Sequence, residues 1–282
     1  MGGQVSFVAA RLKAVPLAAR EVDYDCRLNF SGVDAPPCAL IRFLLRSLFT
    51  LLAAITLSAA HAESIALTPL SSTADMPLSP WHVAGLPQQT KSLTRFSLVD
   101  LDGRRVLRVE ADNSYGNLVH PLAGTPASLR LAWKWRVDER LAAADLRTKA
   151  GDDTALKVCV FFDLALEKIP FGERQLLRLA RARSTESLPG ATVCYVWDND
   201  LPPDTAMANA YTRRMRYLVL QSGPAPTGQW ISERRDIAAD FIRLFGTESA
   251  QMPPVTGIAV GADADNTHGH SLGYVADLAF QP

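Results

Sequence analysis

Leu129-Arg130-Leu131-Ala132-Trp133-Lys134-Trp135-Arg136-Val137 alternates apolar side chains with mostly charged ones. Side chains on a β-strand point alternately to its two faces. Leu129, Leu131, Trp133, Trp135 and Val137 share one face, and Arg130, Lys134 and Arg136 take the other. A strand with one apolar and one cationic face belongs to an antiparallel sheet, half on a core and half in water. Upstream, Arg95-Phe96-Ser97-Leu98-Val99 and Val106-Leu107-Arg108-Val109-Glu110 flank Asp102-Gly103, a turn pair suited to a hairpin. Tyr115 to His120 follows as a further strand. Downstream, residues 155–164, 192–197, 214–221, 255–260 and 273–280 read as strands by the same criteria.

Two stretches have helical spacing. Glu173 to Arg183 sets Leu176, Leu177, Leu179 and Ala180 against Arg174, Arg178 and Arg181. Asp236 to Phe245 is a shorter amphipathic stretch closed by Gly246. Strands do not alternate regularly with helices, which excludes a Rossmann or TIM-barrel plan. The expectation is an all-β fold, a mainly antiparallel, jelly-roll-like β-sandwich with two short helical insertions. No repeat or Pro/Ser linker divides residues 63–282, so these are expected to form a single domain.

The chain has 282 residues, 48% of them hydrophobic and 21% charged, with 29 basic residues balancing 29 acidic ones. That composition suits a globular protein. Neutral charge gives no footprint for nucleic acid, and no nucleic-acid partner is expected.

Near the N-terminus, Arg42 and Arg46 precede the apolar run Leu48-Phe49-Thr50-Leu51-Leu52-Ala53-Ala54-Ile55-Thr56-Leu57. Ser58-Ala59-Ala60-His61-Ala62 then supplies a small-x-small cleavage motif. The run is short for a membrane span. Residues 39–62 are thus expected to be a signal peptide cut after Ala62, with a periplasmic or secreted product and no transmembrane segment in the mature chain. Residues 1–38 carry no sustained period of 2 or 3.6 and are expected to be a disordered, misassigned upstream extension, with translation starting at Val33 or Leu40. Of the cysteines, Cys159 and Cys194 remain in the mature part, either as a bridge or as two thiols.

Gly269-His270-Ser271-Leu272-Gly273 has the spacing of a nucleophile elbow, yet no His follows Ser271 as that triad order requires. It is read as a chance glycine turn. Asp263-Ala264-Asp265-Asn266-Thr267 presents oxygen ligands at alternate positions after a buried strand, and Lys149-Ala150-Gly151-Asp152-Asp153 is a second acidic turn before another. Either these are separate solvated turns, or they meet at one end of the sandwich. Meeting carboxylates would need a cation or an Arg to stay ionised. Asp152, Asp153, Asp263, Asp265 and Asn266 are the candidate ligands of a structural calcium.

Trp133 and Trp135 belong to the core face. Trp197, Trp230 and Tyr211 are the candidate ligand-binding aromatics, because an aromatic ring can stack on the apolar face of a sugar. The arginine ridge Arg174–Arg178–Arg181 is read as a solvated helix face, with phosphate or lipid headgroups as the alternative. Glu110, Glu233 and Asp240 have no spacing that pairs them as a glycosidase requires. No residue is assigned a catalytic role.

In order along the chain, Trp133-Lys134-Trp135-Arg136-Val137, Lys149-Ala150-Gly151-Asp152-Asp153, Val160-Phe161-Phe162-Asp163 and Cys194-Tyr195-Val196-Trp197 form one pattern. Gln221-Ser222-Gly223, Trp230, Asp240, Phe245-Gly246 and Ile258-Ala259-Val260 with Asp263 to Thr267 continue it. Together they resemble a bacterial family called domain of unknown function 3047, over most of residues 80–280. The resemblance implies an exported β fold and a joint role for the two acidic turns, but no activity. At Cys159 and Cys194 the family tends to carry Tyr or Asn, which favours a bridge specific to this protein. The functional expectation is a non-catalytic module binding a carbohydrate-like or other polar cell-envelope ligand. The alternatives are a polysaccharide hydrolase or lyase using carboxylates of the acidic turns, and a structural envelope protein.

Overall fold

A computed structural model describes residues 66–126, 128–224 and 227–281. The expected upstream extension and the signal-peptide segment lie outside the described residues. Strands are numbered in chain order. One sheet runs β10 (Ile231–Asp236), β5 (Arg130–Glu139), β12 (His270–Gln281), β3 (Arg104–Asp112), β2 (Arg95–Leu101), with every neighbour antiparallel. The other runs β1 (His82–Ala84), β4 (Tyr115–Pro121), β11 (Val255–Asp263), β6 (Thr154–Phe162), β7 (Ala191–Asp198), β9 (Met215–Ser222), β8 (Ala206–Ala208). The chain changes sheet at each step from β3 to β6 and again from β10 to β12. The result is a mainly antiparallel, jelly-roll-like sandwich.

The alternating segment sits in β5, near the middle of its sheet. Leu131, Trp133, Trp135 and Val137 are at most 1% exposed, while Arg130 is exposed and Lys134 and Arg136 are half-buried. Across the core stand Val158, Val160, Tyr195 and Trp197 from β6 and β7. Burying each such side chain contributes about 1.5–3 kcal/mol, and this inter-sheet layer is the main stabilising element. Asp102 (φ 52°) and Gly103 (φ 74°) both have positive φ, the requirement of a two-residue type I′ hairpin.

The structure departs from the sequence reading in three respects. β1 and β8 have only three residues each, too few to show a period. β10 reads Ile231-Ser232-Glu233-Arg234-Arg235-Asp236, whose polar character hides its alternation. β7 and β9 pair in parallel, because the excursion through β8 brings the chain back in its original direction.

Helix α1 (Phe171–Arg183) buries only Leu177. Leu176 and Leu179, expected on the inner face, are 62% and 49% exposed. At about 100° per residue they lie too far round the helix from Leu177 to share its narrow contact with the body. Helix α2 (Ile237–Phe245) buries Ile237, Phe241, Leu244 and Phe245, and Asp236 caps it by accepting from Ala238 and Ala239 N–H. Among the described residues no helix is long and apolar enough to cross a membrane.

Cys159 and Cys194 stand opposite each other on β6 and β7, with Cα atoms 4.0 Å apart, and form a disulfide. The bridge lies with Val196, Tyr217 and Val219 on the outer face of the seven-stranded sheet.

Candidate functional site

The two acidic turns meet because their strands pair. Asp263, the last residue of β11, is in register with Thr154, the first of β6. Asp152 and Asp153 immediately precede Thr154, after a short 3-10 turn at Lys149–Gly151 capped by Thr148. Strand pairing therefore fixes three of the expected ligands, Asp152, Asp153 and Asp263, at one end of the seven-stranded sheet.

Protein donors fill their lone pairs. Asp153 Oδ1 accepts from Asn266 N and Nδ2, both at 3.2 Å, and Oδ2 accepts from Thr267 N at 2.7 Å and Oγ1 at 2.6 Å. Asn266 Nδ2 also lies 3.1 Å from the Asp152 carbonyl oxygen. Asp263 Oδ1 accepts from Thr154 N at 2.6 Å and from the Thr154 hydroxyl, while Oδ2 accepts from Lys157 Nζ at 2.8 Å. Asp265 pairs with Lys91 at 3.1 Å. A calcium ion needs six or more unclaimed oxygens. Here the carboxylates are spent on N–H and O–H groups, and a lysine ammonium supplies the cation. Among the described residues no group of three carboxylate, His or Cys side chains is placed to hold a metal ion. The expected calcium ligands Asp152, Asp153, Asp263, Asp265 and Asn266 are thus each engaged by protein groups in this structure.

The electrostatics follow from that burial. Lys157 is 1% exposed; burial opposes its charge, but the Asp263 carboxylate more than compensates and raises its pKa. Asp152 is pushed up to about 6, first by burial and then by the charge of Asp263. Asn209 Nδ2 and the Tyr217 hydroxyl donate to its two oxygens and temper the shift. Burial beside these carboxylates also pushes the Tyr217 phenol well up.

Of the three candidate aromatics, Tyr211 belongs to this end. It is 56% exposed, and its hydroxyl lies 2.9 Å from the Lys149 carbonyl and 3.0 Å from Asn266 Oδ1. Lys149 Nζ covers its ring at 5.3 Å. Trp197 is corrected outright. It is 1% exposed in β7, its ring 5.6 Å from Trp135, and no ligand reaches it from outside.

Trp230 stands elsewhere, on the outer face of the five-stranded sheet. Ile231 is in register with Trp135, which sets the half-buried Trp230 beside Arg136, itself opposite Tyr274. The Trp230 and Tyr274 rings are 6.5 Å apart. Trp230 Nε1 donates to Asp102 Oδ2 at 3.0 Å, and Arg136 Nη1 donates to the same oxygen at 3.1 Å. Asp138 takes the other edge of the guanidinium at 2.6 and 3.1 Å.

Sequence reasoning missed a third cluster, around the inward face of β10. Glu233 Oε1 accepts from Gln221 Nε2 at 2.8 Å and Trp135 Nε1 at 3.3 Å, and burial raises its pKa. Two residues on, Arg235 holds Asp240 through two bonds, and the Tyr195 hydroxyl donates to Asp240 at 2.8 Å. The signal was present in the period of 2 that puts Ile231, Glu233 and Arg235 on one side. Ser271, at the centre of the elbow-like pentapeptide, is wholly buried in β12 opposite Ala111.

No curated protein matches the chain in sequence. Solved structures resemble it in outline. Trichoderma harzianum endoglucanase 3 from family GH12 is 10% identical, with 78% of this chain and 97% of that one covered at a TM-score of 0.37. A cellulase derived from Cel12A of Rhodothermus marinus is 11% identical, covering 76% and 97% at 0.36. The endo-1,4-β-glucanase CelB2 is 10% identical, covering 75% and 98% at 0.35. The family model described as "Protein of unknown function (DUF3047)" matches residues 79–279, a span that includes both acidic turns, Trp230 and the β10 cluster, and the chain belongs to that family.

Proposed function

We propose that this is an exported, non-catalytic binding module that holds a carbohydrate-like ligand on the outer face of the five-stranded sheet. The observation that carries the reading is the row Trp230, Arg136, Tyr274 with Asp102. An indole left partly open offers a face for the C–H surface of a sugar ring. A carboxylate and a guanidinium held beside it can exchange hydrogen bonds with hydroxyls. Because Arg136 is neutralised by Asp102 and Asp138, the chemistry suits a neutral sugar. The export motif and the Cys159–Cys194 bridge support placement in an oxidising compartment. The test is calorimetric titration with a panel of neutral and uronate oligosaccharides, on the wild type and on Trp230→Ala. Binding of a neutral oligosaccharide lost in the variant supports the reading; equal binding in both sinks it.

One observation favours hydrolysis as a second reading. Both donors to Glu233 converge on Oε1, and burial holds the carboxyl toward its protonated form, the state of a general acid. Release of reducing ends that disappears in Glu233→Gln would establish that reading in place of the first.

A further inference from the structure

Helix α1 is built the wrong way round for a helix that serves only its own core. Phe171, Leu176 and Leu179 are 69%, 62% and 49% exposed, and Leu177 alone is buried. At about 100° per residue, Phe171, Leu179 and Leu176 fall within one sector of about 140°. Ala182 lies inside that sector, Arg178 at one border and Arg183 between the two leucines.

The charge on the helix is as lopsided as its apolar surface. It carries Arg174, Arg178, Arg181 and Arg183 against Glu173. Glu173 is engaged by Arg214 at 3.4 Å. Arg181 donates to the Leu188 carbonyl, and the Arg174 guanidinium lies 5.6 Å from the Phe171 ring. Among the described residues no carboxylate pairs with any of these four arginines. Elsewhere the arginines of this protein are mostly paired, as at Arg95, Arg108, Arg136, Arg214, Arg216, Arg235 and Arg243. The exposed, unpaired Arg178 and Arg183 at this apolar sector complement a surface that is apolar within and anionic at its rim.

We infer that α1 is a docking helix for an anionic lipid bilayer. Lying in the plane of the interface, it would seat Phe171, Leu176 and Leu179 at the boundary of headgroups and acyl chains. Arg178 and Arg183 would reach back to lipid phosphates along their aliphatic stems. A protein groove could cover the leucines, but Arg178 and Arg183 at that face would then need matching acids. A bilayer containing anionic lipid supplies them continuously. This inference does not depend on the sugar-binding row, which lies on the outer face of the other sheet from the α1 flanking strands.

The test is flotation of the full chain with phosphatidylcholine vesicles and with vesicles in which part of that lipid is replaced by phosphatidylglycerol. Binding is expected to the anionic vesicles only and to weaken as salt is raised. Arg178→Gln and Arg183→Gln should each weaken it about fivefold. Leu176→Glu with Leu179→Glu should abolish it with an unchanged melting curve, since both side chains are exposed. Binding retained in that double variant, equal binding to neutral vesicles, or no binding to either would overturn the inference. So would sedimentation showing that the leucine face instead joins two copies of the chain.

Discussion

Lys157 Nζ lies 2.8 Å from Asp263 Oδ2, with side chains only 1% and 6% exposed. The pair ties the start of β6 to the end of β11, and the lysine also lies over the Tyr115 ring at 5.0 Å. Removing one partner strands a charge in a medium that solvates it poorly. Lys157→Met is expected to cost about 3–5 kcal/mol. Adding Asp263→Asn should recover part of that loss, because the stranded carboxylate goes with it. Urea unfolding of the single and double variants measures both; a double variant no more stable than the single contradicts this account.

The same saturation of carboxylates governs the response to metal. With Asp153 and Asp263 supplied by Thr154, Lys157, Asn266 and Thr267, calcium would have to displace protein donors to bind. Melting curves with added calcium and with chelator should therefore coincide. A rise of the midpoint with calcium, growing with its concentration, would restore an ion to this site.

Asp152 should leave a signature in the pH dependence of stability. Its folded pKa is about 6, above the usual carboxylate value, because burial and Asp263 disfavour its charge. Below about pH 4 both states hold the proton and the group contributes no difference. Between there and pH 6 the unfolded chain releases its proton first, so stability falls as pH rises, by on the order of 3 kcal/mol. Asp152→Asn should flatten that window and be more stable than the wild type at neutral pH. Glu110 acts oppositely at lower pH. Bonds from Arg108 and Arg95 hold it at about 2, so its contribution is lost only as pH falls through the range below 4.5.

How much of this was legible in the sequence depended on which groups face water. β5 announced itself because its two faces differ in chemistry, and the hairpin at Asp102-Gly103 because few residue pairs adopt two positive φ values. β10 did not, since its inward residues Glu233 and Arg235 are polar and its period carries no hydrophobic contrast. The meeting of the acidic turns was foreseeable from their positions at strand ends. Their counter-charge was not, because Lys157 sits inside the apolar run of β6 and only the three-dimensional register turns it toward Asp263. Trp197 misled for a related reason. A Trp at a strand end reads equally as rim or core, and only the packing of Trp135 against it decides.

The Cys159–Cys194 bridge closes a loop with a sequence separation of 35 residues between directly opposed strands. Loop-closure entropy for that length corresponds to about 4 kcal/mol removed from the unfolded chain's advantage. Cys159→Ser with Cys194→Ser is expected to lower stability by roughly 2–4 kcal/mol while keeping the fold, because Val196, Tyr217 and Val219 still pack around the site. Equal urea midpoints for the oxidised wild type and the double variant would show that the bridge does not constrain the unfolded state.

Glu233 offers an optical test, because its Oε1 lies 3.3 Å from the indole nitrogen of Trp135. Burial raises its pKa, and the bonds from Gln221 and Trp135 offset only part of that. Gaining or losing the proton changes the charge facing the indole, so tryptophan emission should shift with pH at a midpoint above the ordinary glutamate value of 4.5. Trp230, bonded to Asp102 on the outer face, is a second emitter, and Trp230→Phe removes its contribution. In Glu233→Gln the transition should vanish, whereas in Asp152→Asn it should remain, since Asp152 touches Asn209 and Tyr217 and no tryptophan. The sign follows from the raised value: the protonated acid is favoured in the folded state, so its stabilisation is lost as pH rises through the transition. An emission profile identical in wild type and Glu233→Gln would mean that the carboxyl does not titrate beside Trp135, and would remove the physical basis for a general acid at that position.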